Sequence, residues 1–264
     1  MNRLMRRNVE IMGCIFGIIF SAMYISPYEN VISLSEAVLQ LSGSYGVYNM
    51  GFSVSQLVTF FMKLLPVFLM EMYGGTIFYR HFCIASIFVF SRQTNRRLWY
   101  CRECLLLGIK CLCFVGCYLI CALLLAFLRF HLVIDFWGIC YTVIHWLLYS
   151  IYTFAMSILI NIFSIYLGSS EAYTVGMVIQ VSEIVLLNIM YQMIKVFTAF
   201  SYNNLLIWNP VSYLVIGWQY GENKLFEPMY FFTILMPVFT GIFFMGMWVV
   251  RKSEIIESNP EWGK

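Results

Sequence analysis

Long apolar stretches alternate with short polar ones along nearly the whole chain. Six of them, at about 11–28, 53–76, 104–128, 136–167, 172–197 and 228–250, are close to or above the roughly 20 residues that a helix needs to cross a hydrocarbon core about 30 Å thick. Lipid offers a peptide group no hydrogen-bond partner, so a spanning segment of this length is helical. The fourth stretch is long enough to lie tilted. A seventh apolar run, 81–90, is too short to cross and suits a helix lying at the membrane surface or packed on a partner. The pattern predicts an all-α polytopic membrane protein of one domain, 1–264, with six transmembrane helices.

Composition sharpens this expectation. The chain is 61% hydrophobic and 11% charged, whereas a soluble domain carries about 25% charged residues. Its net charge of +3 gives no sign of a nucleic-acid partner, but the placement of the cations is informative. Arg3, Arg6, Arg7, Arg80, Arg92, Arg96, Arg97, Arg102, Arg251, Lys252 and Lys264 fall on one side of the six-span layout, against Arg129, Lys224 and Lys195 on the other. Cytoplasmic loops collect Lys and Arg. The layout therefore predicts cytoplasmic N- and C-termini, a cytoplasmic loop between the second and third spans, and a multi-pass protein of the cell (plasma) membrane. The stretch 29–52 lacks Lys and Arg and reads as outside. The loop 198–227, with Trp208, Asn209, Pro210 and Trp218, reads as outside with short interfacial helices. Met1 to Arg7 and the apolar run after it have the basic and apolar parts of a signal peptide, but five further spans favour an uncleaved first helix.

Ionisable groups inside spans cost roughly 3 kcal/mol or more at a helix centre, so they face protein or water. At 1.5 Å per residue, Lys63 lies about 15 Å deep from one side and Glu183 about 14 Å from the other. The two are expected to pair, either bridging the second and fifth spans of one subunit or facing a shared path at a dimer interface. Lys110 can snorkel out, and His145 can hydrogen-bond a Tyr or Ser of a neighbouring span. Nine cysteines lie mostly in apolar stretches and behave as small hydrophobes. Cys101 and Cys104 have metal-ligand spacing, but no second pair completes a site, so no metal is expected. Cys113, Cys117 and Cys121 share a helix face suited to packing. The phosphate-binding Gly-x-x-x-x-Gly-Lys-Ser/Thr loop is absent, as are His-Glu-x-x-His and Gly-x-Ser-x-Gly. No catalytic residue and no cofactor are expected.

The second span ends in Glu71-Met-Tyr-Gly74-Gly75-Thr76, followed by the short apolar run and then by Ser91-Arg92-Gln-Thr-Asn95-Arg96-Arg97-Leu-Trp99. This order resembles the membrane subunits of ATP-binding-cassette exporters of the type-2 permease class, in which a Glu and a Gly-Thr pair end the second helix, a cytoplasmic coupling helix contacts the ATPase, and a Ser/Arg-rich turn opens the third helix. Trp208-Asn209-Pro210 is also similar to that family. The chain departs from it in having a short lead into the first span and Arg102 near a position where the family often has Lys. The resemblance implies a permease subunit of an ABC transporter that works as a homodimer, or as a heterodimer with a related permease, on a separate ABC ATPase subunit that binds the ATP. Glu71, Gly75, Thr76, Arg80, Arg92, Arg96, Arg97 and Trp99 would then form the coupling region. The cargo implied is a peptide or amphipathic molecule, as in antimicrobial (bacteriocin or lantibiotic) peptide export or self-protection. Rival readings are a non-transporting membrane immunity or sensor protein, and a membrane-embedded enzyme using His145 and Glu183 as acid and base.

Overall fold

Caps set the helix boundaries in this chain as much as apolar content does. In the computed structural model, which describes residues 2–26, 30–43, 54–80, 95–196, 206–220 and 227–252, α1 covers Asn2–Tyr24, β1 Val31–Ser33, α2 Leu34–Ser42, α3 Val54–Gly74 and α4 Ile77–Tyr79. Then α5 covers Arg96–Arg129, β2 His131–Val133, α6 Phe136–Leu167, α7 Ser169–Val196 and α8 Met236–Lys252. Asn95 starts α5 well before the apolar run at 104–128, because its side chain accepts from Leu98 N and satisfies one of the unpaired amides of the first turn. Asp135 does the same for α6 through Gly138 N. Gly168, at φ 94°, turns the chain from α6 into α7 in a conformation that a side chain would strain.

Five helical segments are long and apolar enough to cross a membrane: Val58–Tyr79, Arg96–Arg129, Phe136–Leu167, Ser169–Leu187 and Phe231–Lys252. The protein is thus an all-α polytopic molecule with the apolar helices of a multi-pass membrane protein. The apolar part of α1, Asn8–Tyr24, is shorter. Many large apolar side chains point outward, among them Ile15, Leu105, Ile120, Phe127, Phe244 and Trp248, while the polar side chains of α6 point inward.

That inversion makes α6 the hub. It packs against α2, α3, α4, α5, α7 and α8, and His145, Ser150, Thr153, Ser157, Asn161 and Ser164 are all buried along it. Several of these hydroxyls bond within their own helix, Ser150 Oγ to Trp146 O at 2.6 Å and Thr153 Oγ1 to Tyr149 O at 2.7 Å, as Ser and Thr do where no water reaches them.

Helix α1 lies parallel to α5 on the other side. Gly13 and Gly17 are one turn apart and face the α5 backbone: a Cβ on Gly13 would sit 2.5 Å from Phe114 O, and one on Gly17 would meet Tyr118 O and come within 3.0 Å of Cys121 Cβ. Small residues four apart let two helix backbones approach in lipid, where dispersion replaces the hydrophobic effect as the driving force. Cys117 and Cys121 sit at this seam, in keeping with the expected packing face.

At the opposite end from the Arg96 start of α5, β1 and β2 pair in parallel, Val31 with His131 and Ser33 with Val133. Asp135 locks the strands' following helices together, since its Oδ1 accepts from Ser35 N and its Oδ2 from Gly138 N, each at 3.0 Å.

The stretch between the last two long helices, expected as an outer loop with short interfacial helices, does carry short helices, and they pack inward. Its described part, 206–220, forms two 3₁₀ turns, Pro210–Leu214 and Ile216–Trp218, and it is driven into the bundle. Leu206, Val211, Ser212, Ile216 and Trp218 are fully buried, and Trp218 stacks on Phe60 of α3 at 6.4 Å. Irregular backbone survives inside a membrane bundle only if its polar groups are satisfied by protein. Here Ser212 Oγ donates to Leu206 O, Tyr213 Oη to Ile207 O, Gln219 Nε2 to Tyr213 O, and Asn209 Nδ2 to Glu183 O, midway along α7. Within 206–220, these polar side chains are used in internal hydrogen bonds.

Candidate functional site

The junction between α3 and α4 is the most elaborately held feature of the interior. A continuous helix would have Phe78 N donating to Gly74 O. Instead the Asn161 amide of α6 is inserted into that step: Phe78 N donates to Asn161 Oδ1 and Asn161 Nδ2 donates to Gly74 O, both at 2.8 Å, with a further bond to Ser157 O at 2.7 Å. A side chain inserted into the i→i−4 ladder is a recognised cause of helix breaks. The neighbouring steps persist, Gly75 N to Glu71 O and Arg80 N to Thr76 O. Gly75 is needed for close approach, because a Cβ there would lie 2.7 Å from Ile160 Cγ2. The other side of Ile160 fits Gly176 of α7, where a Cβ would lie 2.5 Å from Cγ1.

Beyond the break, Phe78 is fully buried between the rings of Trp99, at 5.6 Å, and Tyr100, at 5.5 Å. Tyr100 Oη donates to Phe243 O of α8 at 2.9 Å. One aromatic side chain thus ties the short helix α4 to α5 and, through Tyr100, to α8, while Asn161 ties it to α6. Arg80 leaves this joint exposed.

One turn before the break, Glu71 is wholly buried and accepts from Gln180 Nε2 of α7. Three residues on, Glu183 faces the same side of α7 and accepts from Tyr152 Oη of α6 at 2.9 Å. Glu71 Oε2, Ser157 Oγ and Gln180 Oε1 are buried without a partner among the described residues. This seam joins α3, α6 and α7 by polar contacts that lipid cannot replace.

Lys63 and Glu183, expected to pair, have partners on different elements. Lys63 Nζ donates to Gln40 O of α2 at 2.8 Å and stands 4.8 Å over the Tyr24 ring of α1, and no contact with Glu183 is among those described. Lys63 also borders a cavity of about 20 Å³ together with Ser42, Tyr118, His145 and Tyr149, enough for a single water. His145 Nδ1 has no partner among the described residues, and its ring lies 5.4 Å from that of Tyr149.

Of the residues expected to form a coupling region, Gly75, Thr76, Arg80 and Trp99 converge on the joint. Glu71 reaches it through the helix interior, and Trp99 is buried within it rather than presented outward. Arg97 is exposed and Arg96 half-buried at the start of α5. Arg92 and the expected coupling helix at 81–90 lie outside the described residues.

Asn161, Phe78 and Gln180 were not singled out in the sequence. The signal that could have found Asn161 is the run of polar residues three and four apart, Ser150, Thr153, Ser157, Asn161 and Ser164, inside an otherwise apolar helix. Gly13 and Gly17 carried a similar small-xxx-small signal. No group of three or more His, Cys, Asp or Glu that could hold a metal occurs among the described residues. Comparison with family models, with curated proteins and with solved structures returned no match.

Proposed function

We propose that the chain is the membrane subunit of an ATP-binding-cassette exporter of the type-2 permease class, with α1 as a sixth span and both termini cytoplasmic. It dimerises, or pairs with a related permease, and takes its energy from a separate ATPase subunit. The observation that supports this reading is the joint at 74–78. It stands directly before residues 81–94 in the chain, where the coupling helix of such a permease belongs, and the joint itself is tied to three long helices through Asn161, Trp99 and Tyr100. A push delivered there would reach α5, α6 and α8 together. The cargo in this reading is a peptide or amphipathic molecule released outward, in antimicrobial peptide export or in protection against such a peptide.

Co-purification of the chain with an ATPase, followed by measurement of ATP turnover in vesicles, tests the proposal. Phe78→Ala should leave the complex assembled but separate ATP turnover from transport, because the load path through Trp99 and Tyr100 is cut. A chain that is stable and functional with no ATPase partner would overturn the reading.

A further inference from the structure

Glu71 of α3 is fully buried, and among the described residues no Lys, Arg or His contacts it. Its described donor is the neutral amide of Gln180, and Glu183 of α7 stands close enough for its charge to act on Glu71. A buried carboxylate is costly unless a positive charge joins it, and a second carboxylate nearby makes matters worse. Glu183 brings no relief, since its own described partner is the Tyr152 hydroxyl.

Oxygen atoms without donors gather beside this carboxyl. Glu71 Oε2, Gln180 Oε1 and Ser157 Oγ are buried with no hydrogen-bond partner among the described residues, and they come from three helices, α3, α7 and α6. The bond from Gln180 Nε2 to Glu71 Oε1 holds the whole planar amide, its oxygen included, at the seam. Ser157 Oγ would lie 3.7 Å from a Cβ on Gly74, three residues on from Glu71 and so on the same side of α3. Cys111 of α5, also fully buried, lies near both Ser157 and Glu71.

Buried polar atoms left without partners call for a water, a proton or an ion. A proton on Glu71 supplies a donor to one of these oxygens, and a water supplies donors to two but no charge. A small hard cation takes several oxygens at once and offsets the carboxylate. One fully buried carboxylate balances a single positive charge, and a close-packed seam does not suit an ion that keeps its waters, as magnesium does.

We propose that Glu71 Oε2, Gln180 Oε1 and Ser157 Oγ bind a monovalent cation of sodium size, with the half-buried Glu183 at the edge of the seam drawing it in. The bound ion fastens α7 to α3 and α6 beside the joint at 74–78, so its arrival and departure set how firmly these helices hold together. The site is independent of the permease reading and fills without an ATPase.

The test titrates the full chain in detergent micelles with sodium chloride at constant ionic strength, choline chloride making up the balance, while the melting temperature is followed. Sodium should raise it by about 5 °C at saturation, potassium should raise it less, and radiosodium should stay with the protein through gel filtration. Ser157→Ala removes an oxygen that has no described protein partner, and it should raise the sodium concentration for half the shift about tenfold. Glu71→Gln should abolish both the shift and the retention. Ser164→Ala, on the same helix but with its hydroxyl bonded to Asn161 O, should respond to sodium as the parent does.

Equal melting in sodium and in choline, with no radiosodium retained, would overturn the proposal. So would an equal shift with sodium and potassium, or a sodium response unchanged in both Ser157→Ala and Glu71→Gln. Indifference to sodium combined with a pH dependence that Glu71→Gln removes would give the site to a proton instead. Should Glu71→Gln fail to fold, Ser157→Ala and radiosodium retention by the parent still decide the matter.

Discussion

Replacing Asn161 by Leu removes a side-chain amide whose donors and acceptor are all engaged, while keeping a side chain of similar size in the core. The bond to Ser157 O is local to α6, and its loss matters little because that carbonyl retains its helical position. The two bonds that cross to Gly74 O and Phe78 N decide the outcome. If both backbone groups stay apart in the buried joint, each costs about 1–3 kcal/mol, or about 2–6 kcal/mol together. If α3 and α4 instead zip into one helix, Phe78 N and Gly74 O satisfy each other. Most of that cost then vanishes, leaving the roughly 0.6 kcal/mol that side-chain hydrogen bonds contribute on average within membranes. The second outcome is expected, because the donor and acceptor that Asn161 separates are the natural partners of a continuous helix and Gly75 offers little resistance to rotation. The variant should therefore melt within about 1 kcal/mol of the parent while the direction of the chain at Arg80 changes. Thermal unfolding in detergent gives the first quantity, and spin-label distances from position 80 to the far end of α6 give the second. A loss of several kcal/mol with unchanged distances would refute the zipping argument. An unchanged melt with unchanged distances would refute any structural part for the amide.

Four other outcomes are expected. Gly17→Ala should weaken the α1–α5 seam by about 1–3 kcal/mol, since the new methyl meets the Tyr118 carbonyl, and should expose α1 to cysteine-directed labelling at Cys14. Trp218→Ala should cost about 3–5 kcal/mol of stability by emptying a fully buried site, measured by chemical unfolding in mixed micelles. Burial works to raise the Asp135 pKa, but the Ser35 and Gly138 N–H donors outweigh it and hold the carboxyl below its ordinary value. Its stabilising effect is therefore present above the unfolded pKa of about 3.9 and lost as pH falls through the lower folded value. Asp135→Asn should melt earlier than the parent from neutral pH down to about 4, with the gap closing only in stronger acid. Gln180→Leu should leave Glu71 buried with no donor from α7 and destabilise the bundle more than Glu71→Leu combined with Gln180→Leu, which a double-mutant cycle on melting temperatures would read.

Where an apolar run met a capping residue at its own edge, the sequence was readable to within three residues. Asp135 and Gly168 bracket α6 at the expected bounds, and α7 starts three residues before the expected 172 because Gly168 completes its turn early. Helix α5 ran further back than its apolar core, since Trp99 and Tyr100 are buried by Phe78 and not by lipid, a contact invisible to hydropathy. That Lys63 and Glu183 need protein partners was legible, but the partners themselves, Gln40 O and Tyr152 Oη, were not. Depth follows from counting residues along an axis, whereas partners follow from rotation about it, and that rotation is set by packing. The short helices of 206–220 were legible but their burial was not, because several of their polar side chains bond to the segment's own carbonyls, which composition does not reveal.

The burial of 206–220 bears on how the molecule is made. These residues follow α7 in the chain, yet their hydrogen bonds and ring contacts reach α3, α6, α7 and Phe231 as well as one another, so no home exists for them until those helices are side by side. During synthesis the stretch emerges too irregular to enter lipid on its own and too apolar to rest in water. Its insertion must be a late event, coupled to closure of the bundle around it, and a chain arrested before that event would display Trp218 and its neighbours to whatever quality-control machinery surveys the membrane.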